Sequence, residues 1–334
     1  MKILVTGGAG YIGSTTARAL EVAGHTPVIL DSLLSGPRAF TRNRIFYEGD
    51  IADHQLLRRV FSDHPDISAT IHMAARIVVP ESVTDPLTYY RDNVGKSIEL
   101  FEQLTENGRR RVLYSSSASV YASADDQQEV GESSRLGPTS PYARTKLMTE
   151  TVLRDLGEAG VLRSIALRYF NPIGSDPDLL SGTYLQRPTH VLGQMLLTAQ
   201  GEQPVFRLTG TDFATRDGTG IRDYVHVWDL ARAHVRAVEQ LDAALDRVGA
   251  PSTVINIGTG RGVSVRELLR SVEAVTGREL TVELAPARPG DAAGAYANVD
   301  RARELLGWRS ELGVEEGVRS AWEWLSRRPS MLQG

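Results

Sequence analysis

The chain has 334 residues, enough for about two domains and a fully buried core. Hydrophobic residues make up 41% and charged residues 23%, a balance that excludes disordered and fibrous classes. Asp and Glu total 41 against 37 Lys and Arg, so no basic field marks the chain for nucleic acid, and the lack of cysteine excludes disulfides, thiolate metal sites and thiol nucleophiles. The apolar run in MKILVTGGAG is too short for a signal peptide, and no stretch reaches the roughly 18 apolar residues of a membrane span. A cytoplasmic location without membrane association is expected.

In chain order, a β-branched run at 2–6 breaks into glycines and then into helical periodicity at 12–24, followed by a second apolar run at 27–31. Strand patterns recur at 44–48, 69–73, 111–116 and 164–169, with helical patterns near 53–63, 86–107 and 142–158 between them. Strands that alternate with crossover helices predict an α/β fold, a doubly wound parallel sheet covered on both faces. After Asn171-Pro172 the texture changes, as Gly, Pro, Ser and Asp crowd positions 172–188. The expected organisation is therefore a first domain over 1–170 and a smaller mixed α/β lobe over 171–334. The patterns at 224–227, 229–240 and 254–257 predict a return of the chain to the first sheet around 224–258. No flexible linker separates the two parts, which predicts a fixed cleft.

The first strand ends in Gly7-Gly8-Ala9-Gly10-Tyr11-Ile12-Gly13, a G-x-x-G-x-x-G spacing at a strand-to-helix junction. Glycines there permit a tight turn and close backbone approach to a pyrophosphate, while the helix N-terminus offers free N–H groups. Asp31 ends the second strand 18 residues after Gly13, where a carboxylate accepts ribose hydroxyls and repels a 2'-phosphate, so the spacing points to NAD rather than NADP. Gly95-Lys96-Ser97 looks like part of a triphosphate loop, but Tyr90 stands where that loop needs glycine.

Tyr142 and Lys146 are spaced i and i+4 in PYARTKL, the start of a helical pattern, so both side chains share one face. Only three of the 37 basic residues are lysines, Lys2, Lys96 and Lys146, and a compact ammonium suits both ribose hydroxyls and the biasing of a phenol. For the phenol to act as a base near neutrality its pKa must fall by about 3, a differential stabilisation of about 4 kcal/mol. One ammonium at about 5 Å supplies about 3 kcal/mol, so a second positive charge is expected to complete the work. Ser115-Ser116-Ser117 closes the fifth strand pattern, at the edge where such sheets bind ligands, and places a serine for proton relay. The seven histidines show no metal spacing and no G-x-S-x-G is present, so no metal site and no serine hydrolase is expected.

Taken together, TGGAGYIGS at 6–14, Asp31, Gly49-Asp50-Ile51, Pro80-Glu-Ser-Val83, Asn93-Val94, SSSASVY at 115–121, SPYARTK at 140–146, RYFNPIG at 168–174, DGTGIRDYVHVWDL at 217–230 and ARPGD at 287–291 closely resemble the UDP-galactose 4-epimerase family of extended short-chain dehydrogenases. The resemblance spans essentially the whole chain. It implies a Rossmann domain whose NAD seat includes Gly7, Gly10, Tyr11, Ile12, Gly13, Asp31, Asp50, Ile51, Met73, Ala74, Ala75, Asn93, Ser115, Tyr142, Lys146 and Tyr169. It further implies Tyr142 as base, Lys146 as its modulator and Ser117 as proton relay, acting on the C4 hydroxyl of a nucleotide diphosphate sugar through a transient 4-keto sugar. By the same resemblance Asn171, Arg222 and Arg288 hold the diphosphate, Asp291 the nucleoside ribose, and Tyr296 crowds the sugar's C2 substituent; a homodimer is also implied.

Departures from the family pattern gather at the substrate end. The family's lysine after the fourth strand is Ile77, its Asn-Asn pair is Thr189-His190, a small residue at the base is Arg207 and an aromatic one is Thr209. Base and sugar therefore stay open at this stage. Related dehydratases and decarboxylases carry acidic residues before the Val-Tyr of the serine motif, where this chain has Ala118 and Ser119, which favours epimerisation. A catalytically silent nucleotide-binding scaffold is the remaining alternative.

Overall fold

The computed structural model describes residues 1–122, 129–287 and 293–333. Its centre is a seven-stranded parallel sheet made of β1 (Lys2–Thr6), β2 (Thr26–Asp31), β3 (Ile45–Glu48), β4 (Ile67–His72), β5 (Arg111–Ser115), then, after the short β6 (Glu129–Val130), β7 (Arg163–Tyr169) and, much later, β12 (Ser252–Ile257). The strand order is β12-β7-β5-β4-β1-β2-β3. Every pairing is parallel, with Lys2 to Thr6 in register against Thr26 to Leu30 on one side and, after a register shift between Lys2 and Ile3, Ile3 to Thr6 against Ala69 to His72 on the other. The sequence expectation of a doubly wound α/β sheet holds, because runs such as Ile3-Leu4-Val5 are apolar on both faces and must be covered twice.

Alternation along β1 sends Ile3 and Val5 to one face and Leu4 to the other, into two separate cores. The first core lies under α1 (Tyr11–Val22), α8 (Val227–Glu239), α9 (Leu241–Val248) and α11 (Asp300–Leu306). The second lies under α2 (His54–Asp63), α5 (Lys96–Glu106) and α6 (Pro141–Glu158). Order reverses between β1 and β4, so the loops that leave their carboxyl ends diverge and open a crevice between them. The helical pattern expected over 86–107 is broken in the structure: α3 (Val79–Thr84) is followed by α4 (Pro86–Tyr90), then a π-helical turn at Arg91–Gly95, then α5. The wider turn lets Asn93 face inward, where its amide bonds both backbone atoms of Arg76 and the Thr145 hydroxyl.

The later segments build smaller sheets beside the crevice. β8 (Asn171–Ile173) pairs with β11 (Tyr224–His226), and β9 (Phe206–Thr209) pairs with β14 (Val282–Ala285). β10 (Ile221–Arg222) lies between β13 (Val263–Ser264) and β15 (Gly294–Ala297), and β15 in turn pairs with β6. A third apolar core under α7 (Val191–Gln200), α10 (Val265–Thr276) and α12 (Val314–Leu332) supports them. The segment expected at 224–227 thus pairs with β8 outside the large sheet, while β12 joins that sheet at its edge beside β7. No described helix is long and apolar enough to cross a membrane.

Candidate active site

The crevice is a cleft of about 1590 Å³ running from the β1–α1 turn to β9 and β10. Its floor at one end is the glycine turn. Gly7 sits at φ +71°, and a Cβ there would lie 2.7 Å from the amide nitrogen of Ala74, so the turn can pass against the end of β4 only as glycine. A Cβ on Gly13 would lie 2.1 Å from the carbonyl oxygen of Gly7, which is how α1 starts so close to β1. The helix opens at Gly10 with no side chain capping it, leaving its first amide groups and the positive end of its dipole directed at the cleft.

At the tip of β2, Asp31 accepts hydrogen bonds from the Ala9 amide (2.9 Å) and the Leu33 amide (2.8 Å), so one carboxylate also fastens the glycine loop. Burial raises its pKa, and the two amides pull it back. An open helix N-terminus for a pyrophosphate and a half-buried carboxylate for a ribose fit a dinucleotide, and Asp50 and Ile51 line the wall beyond them. Asp50 is itself paired: the Lys96 ammonium donates to it at 2.6 Å and to Asp92 at 3.0 Å, and Asp92 also receives Arg76 at 2.6 Å.

Of the residues expected from sequence, Gly7, Gly10, Tyr11, Ile12, Gly13, Asp31, Asp50, Ile51, Met73, Ala74, Ala75, Tyr169, Asn171 and Arg222 line this cleft. Asn93 does not; it is buried behind the wall and holds the Arg76 loop. Ser115 is also buried, its hydroxyl 2.9 Å from His234 Nε2. Tyr296 lies on β15 with its ring against Gly262, away from the cleft lining. Arg288 and Asp291 fall outside the described residues. The departures from the family pattern, Ile77, Thr189, His190, Arg207 and Thr209, all line the cleft, so they stand where a ligand would meet them.

Ser117, Tyr142 and Lys146 converge beside Tyr169. Ser140 caps α6 by accepting from the Ala143 amide at 3.2 Å, which puts Tyr142 and Lys146 in its first two turns, both buried. The Lys146 ammonium donates to the Ser115 carbonyl at 2.8 Å and lies 5.0 Å and 5.9 Å from the Tyr114 and Tyr142 ring centroids. Burial lowers its pKa to about 7, partly offset by the Glu150 carboxylate one turn along. Burial also raises the Tyr142 phenol, and interaction with the Ser117 hydroxyl brings it back toward its ordinary value. In the chain alone, one low-dielectric surrounding opposes charge on both groups, phenolate and ammonium alike, so the phenol stays unprimed without a second positive charge. Ser119 donates to Ser117 Oγ through its hydroxyl (2.9 Å) and its amide (3.2 Å). Ser117 thus has its own proton free to point toward Tyr142, and a lone pair opens for a substrate hydroxyl when the Ser119 hydroxyl turns away.

Several site-building residues were not found by sequence reasoning. Glu150 and Arg168 form a buried ion pair under the serine run, and Ser116 donates to Glu150. Asp223 receives the amides of Thr259, Gly260 and Ala297, and so fixes the strand end that carries Arg222. The Glu150 position, i+4 from Lys146, was a readable signal; the Asp223 contacts join segments far apart in sequence and leave none.

A model of the NAD dependent epimerase/dehydratase family matches residues 3–258. The chain belongs to that family. It is 44% identical over 325 residues to the UDP-glucose 4-epimerase of Azospirillum brasilense, covering 97% of this chain and 91% of that one. With the UDP-glucose 4-epimerase of Bacillus subtilis it shares 40% identity, covering 98% and 97%. Among solved structures, the UDP-glucose 4-epimerase of Stenotrophomonas maltophila with bound NAD and formylated UDP-arabinopyranose superposes with a TM-score of 0.92 at 36% identity, covering 98% and 99%. That of Brucella ovis in complex with NAD gives 0.89 at 39% identity, covering 96% and 97%. The glycine turn, the Tyr142–Lys146 pair and the cleft described above are thus features of a member of the epimerase/dehydratase family.

Proposed function

We propose that this protein is an NAD-dependent nucleotide-sugar 4-epimerase of the UDP-glucose/UDP-galactose type. The observation that carries the reading is the convergence of Ser117, Tyr142 and Lys146 beside a cleft that combines an uncapped glycine-rich helix N-terminus with a carboxylate at the next strand tip. The near full-length relatives named UDP-glucose 4-epimerase support it.

NAD, seated from Gly7–Gly13 past Asp31 to Asp50 and Ile51, supplies the hydrogen acceptor for C4 of the sugar and, when oxidised, a second positive charge. The chain does the rest. Tyr142 takes the proton of the C4 hydroxyl, through or alongside Ser117, and returns it when the ketone is reduced from its other face. Lys146 holds ribose hydroxyls and favours the phenolate; its low pKa in the buried chain means that neighbouring charge decides its state. Asn171 and Arg222 line the substrate end, and the Arg222 fork suits a diphosphate. Arg288 and Asp291 complete the substrate seat in this reading. Ala118 and Ser119 offer no carboxylate for elimination or decarboxylation, which favours epimerisation over those reactions.

The reading includes a cytoplasmic homodimer. Val83, Leu87, Ile98 and Met148 are exposed on α3 to α6, an apolar face suited to pairing across a two-fold axis. It also assigns 1–170, joined by the returning chain around 224–258, to the nucleotide-binding first domain and the rest of 171–334 to a substrate lobe.

The test is incubation with uridine, thymidine, cytidine and guanosine diphosphate sugars, with products identified by NMR. Interconversion of the C4 epimers of a uridine diphosphate hexose is the expected result, with no solvent deuterium at C4 in heavy water. Lack of turnover on every sugar, or deuterium washing into C4, defeats the proposal.

A further inference from the structure

Ser115, the last residue of β5, is gripped from both faces of the sheet. From the α6 side the Lys146 ammonium donates to its carbonyl oxygen at 2.8 Å. From the α8 side His234 Nε2 lies 2.9 Å from its hydroxyl. His234 is fully buried, and its other ring nitrogen, Nδ1, lies 2.8 Å from the Leu230 carbonyl oxygen one turn earlier in α8. A carbonyl can only accept, so Nδ1 carries the proton. In a neutral ring Nε2 must then accept, and the single proton of the Ser115 hydroxyl is committed to it. Tyr169, which lines the cleft, interacts with the same hydroxyl, and its ring lies 6.1 Å from that of His234.

The polarity of the chain from Leu230 through His234 and Ser115 is thus fixed at every link. That fixes the rotamer of Ser115 and, with it, the strand end whose carbonyl sets the direction of the Lys146 ammonium. We propose that His234 is a positioning residue for the reaction, holding Lys146 and Tyr169 in register through Ser115. The inference rests on the functional reading above, in which Lys146 serves the chemistry. His234 touches neither the cleft nor a reacting atom; its effect is to remove the freedom of a strand end that would otherwise let Lys146 swing away from the cofactor's ribose and from Tyr142.

The imidazole offers a clean comparison of variants. His234→Gln keeps an acceptor at the ε position, His234→Asn keeps only a donor at the δ position, and His234→Ala keeps neither. Measured on the NAD-loaded enzyme with a uridine diphosphate hexose, His234→Ala and His234→Asn are expected to lose about tenfold or more in kcat with KM within about twofold, the cost of a loosened catalytic group. NAD, followed by its release into a nucleotide trap, is expected to dissociate faster from both, while His234→Gln restores kcat and retention. Ser115→Ala, which removes only a hydroxyl, is expected to repeat the His234→Ala pattern and serves if that variant does not fold. Wild-type kcat and NAD retention in His234→Ala, or a His234→Gln as impaired as His234→Ala, overturns the inference. Lys146→Met separates the two readings. If it retains turnover the functional reading fails, whereas if it abolishes turnover and the His234 variants do not, only the inference fails.

Discussion

Arg168 on β7 and Glu150 on α6 form a two-point ion pair that is almost wholly out of water, with Nη2–Oε2 at 2.6 Å and Nε–Oε1 at 3.0 Å. The pair lies beneath the serine run: Ser116 donates to the carboxylate, and the Tyr121 hydroxyl receives the guanidinium at 3.2 Å and donates to Asn256 at 2.6 Å. Removing one partner leaves a buried charge with nothing to balance it, which costs far more than the net worth of the pair. Glu150→Gln is therefore expected to lose about 3–5 kcal/mol of stability in urea unfolding. Arg168→Met added to it is expected to recover part of that loss, because the orphaned charge is gone. A Glu150→Gln protein as stable as wild type refutes this account of the site's foundation.

Tyr142 and Ser117 act as one unit in the proposed reaction, since the serine hydroxyl is the polar neighbour that offsets burial at the phenol. Tyr142→Phe keeps the ring in its packing and deletes only the proton acceptor, so turnover is expected to fall about 10²–10⁴-fold while the melting temperature stays close to wild type. Ser117→Ala is expected to fall less, because the sugar hydroxyl can reach the phenol alongside it. The double variant should be no slower than Tyr142→Phe alone, as expected when one step needs both groups. Multiplicative losses measured in initial rates go against a shared relay.

What was legible in the sequence follows from range. The strands of the large sheet carry their own apolar runs, and the glycine turn and the Tyr142–Lys146 pair are local spacings, so each can be read within a dozen residues. The π-helical turn at Arg91–Gly95 was missed because periodicity over 86–107 is set by the flanking turns, whereas the extra residue is demanded by Asn93 reaching Arg76 and Thr145. β11 was read into the main sheet because Tyr224-Val225-His226 looks like any buried strand; its partner, Asn171 to Ile173, is chosen by tertiary packing. His234 and Ser115 are 119 positions apart, and neither residue type announces the other.

The glycine turn allows a steric test that separates cofactor binding from folding. A methyl group on Gly13 meets the Gly7 carbonyl at 2.1 Å, and backbone cannot yield as a side chain tip would. Gly13→Ala is expected to push α1 off β1, opening the pyrophosphate seat, and to purify with little or no bound nucleotide when its denatured supernatant is assayed for NAD. Gly95→Ala is the control, since nothing lies within 4 Å of its added methyl. It should keep its nucleotide and unfold within about 1 kcal/mol of wild type. Full NAD occupancy in Gly13→Ala contradicts the role given to the turn.

Lys146 sets a pH dependence of stability whose sign follows from its burial. The folded chain holds the ammonium down to about 7, against 10.5 for an ordinary lysine, so between those values the unfolded chain carries a proton that the folded one has shed. Stability rises with pH wherever the unfolded state binds more protons. The burden of burying this lysine is therefore full below about pH 7 and relieved progressively as pH climbs toward 10.5. Lys146→Met has no such titration. With nucleotide stripped from both proteins, the variant is expected to melt at a higher temperature than wild type near neutrality, and the gap should close as the pH is raised toward the upper end of that window. Glu150, which partly offsets the burial, makes the same argument in reverse: Glu150→Gln drives Lys146 further down and widens the window. Melting curves collected across the range decide it, and a gap that does not change with pH means that Lys146 keeps its ordinary proton in the folded chain.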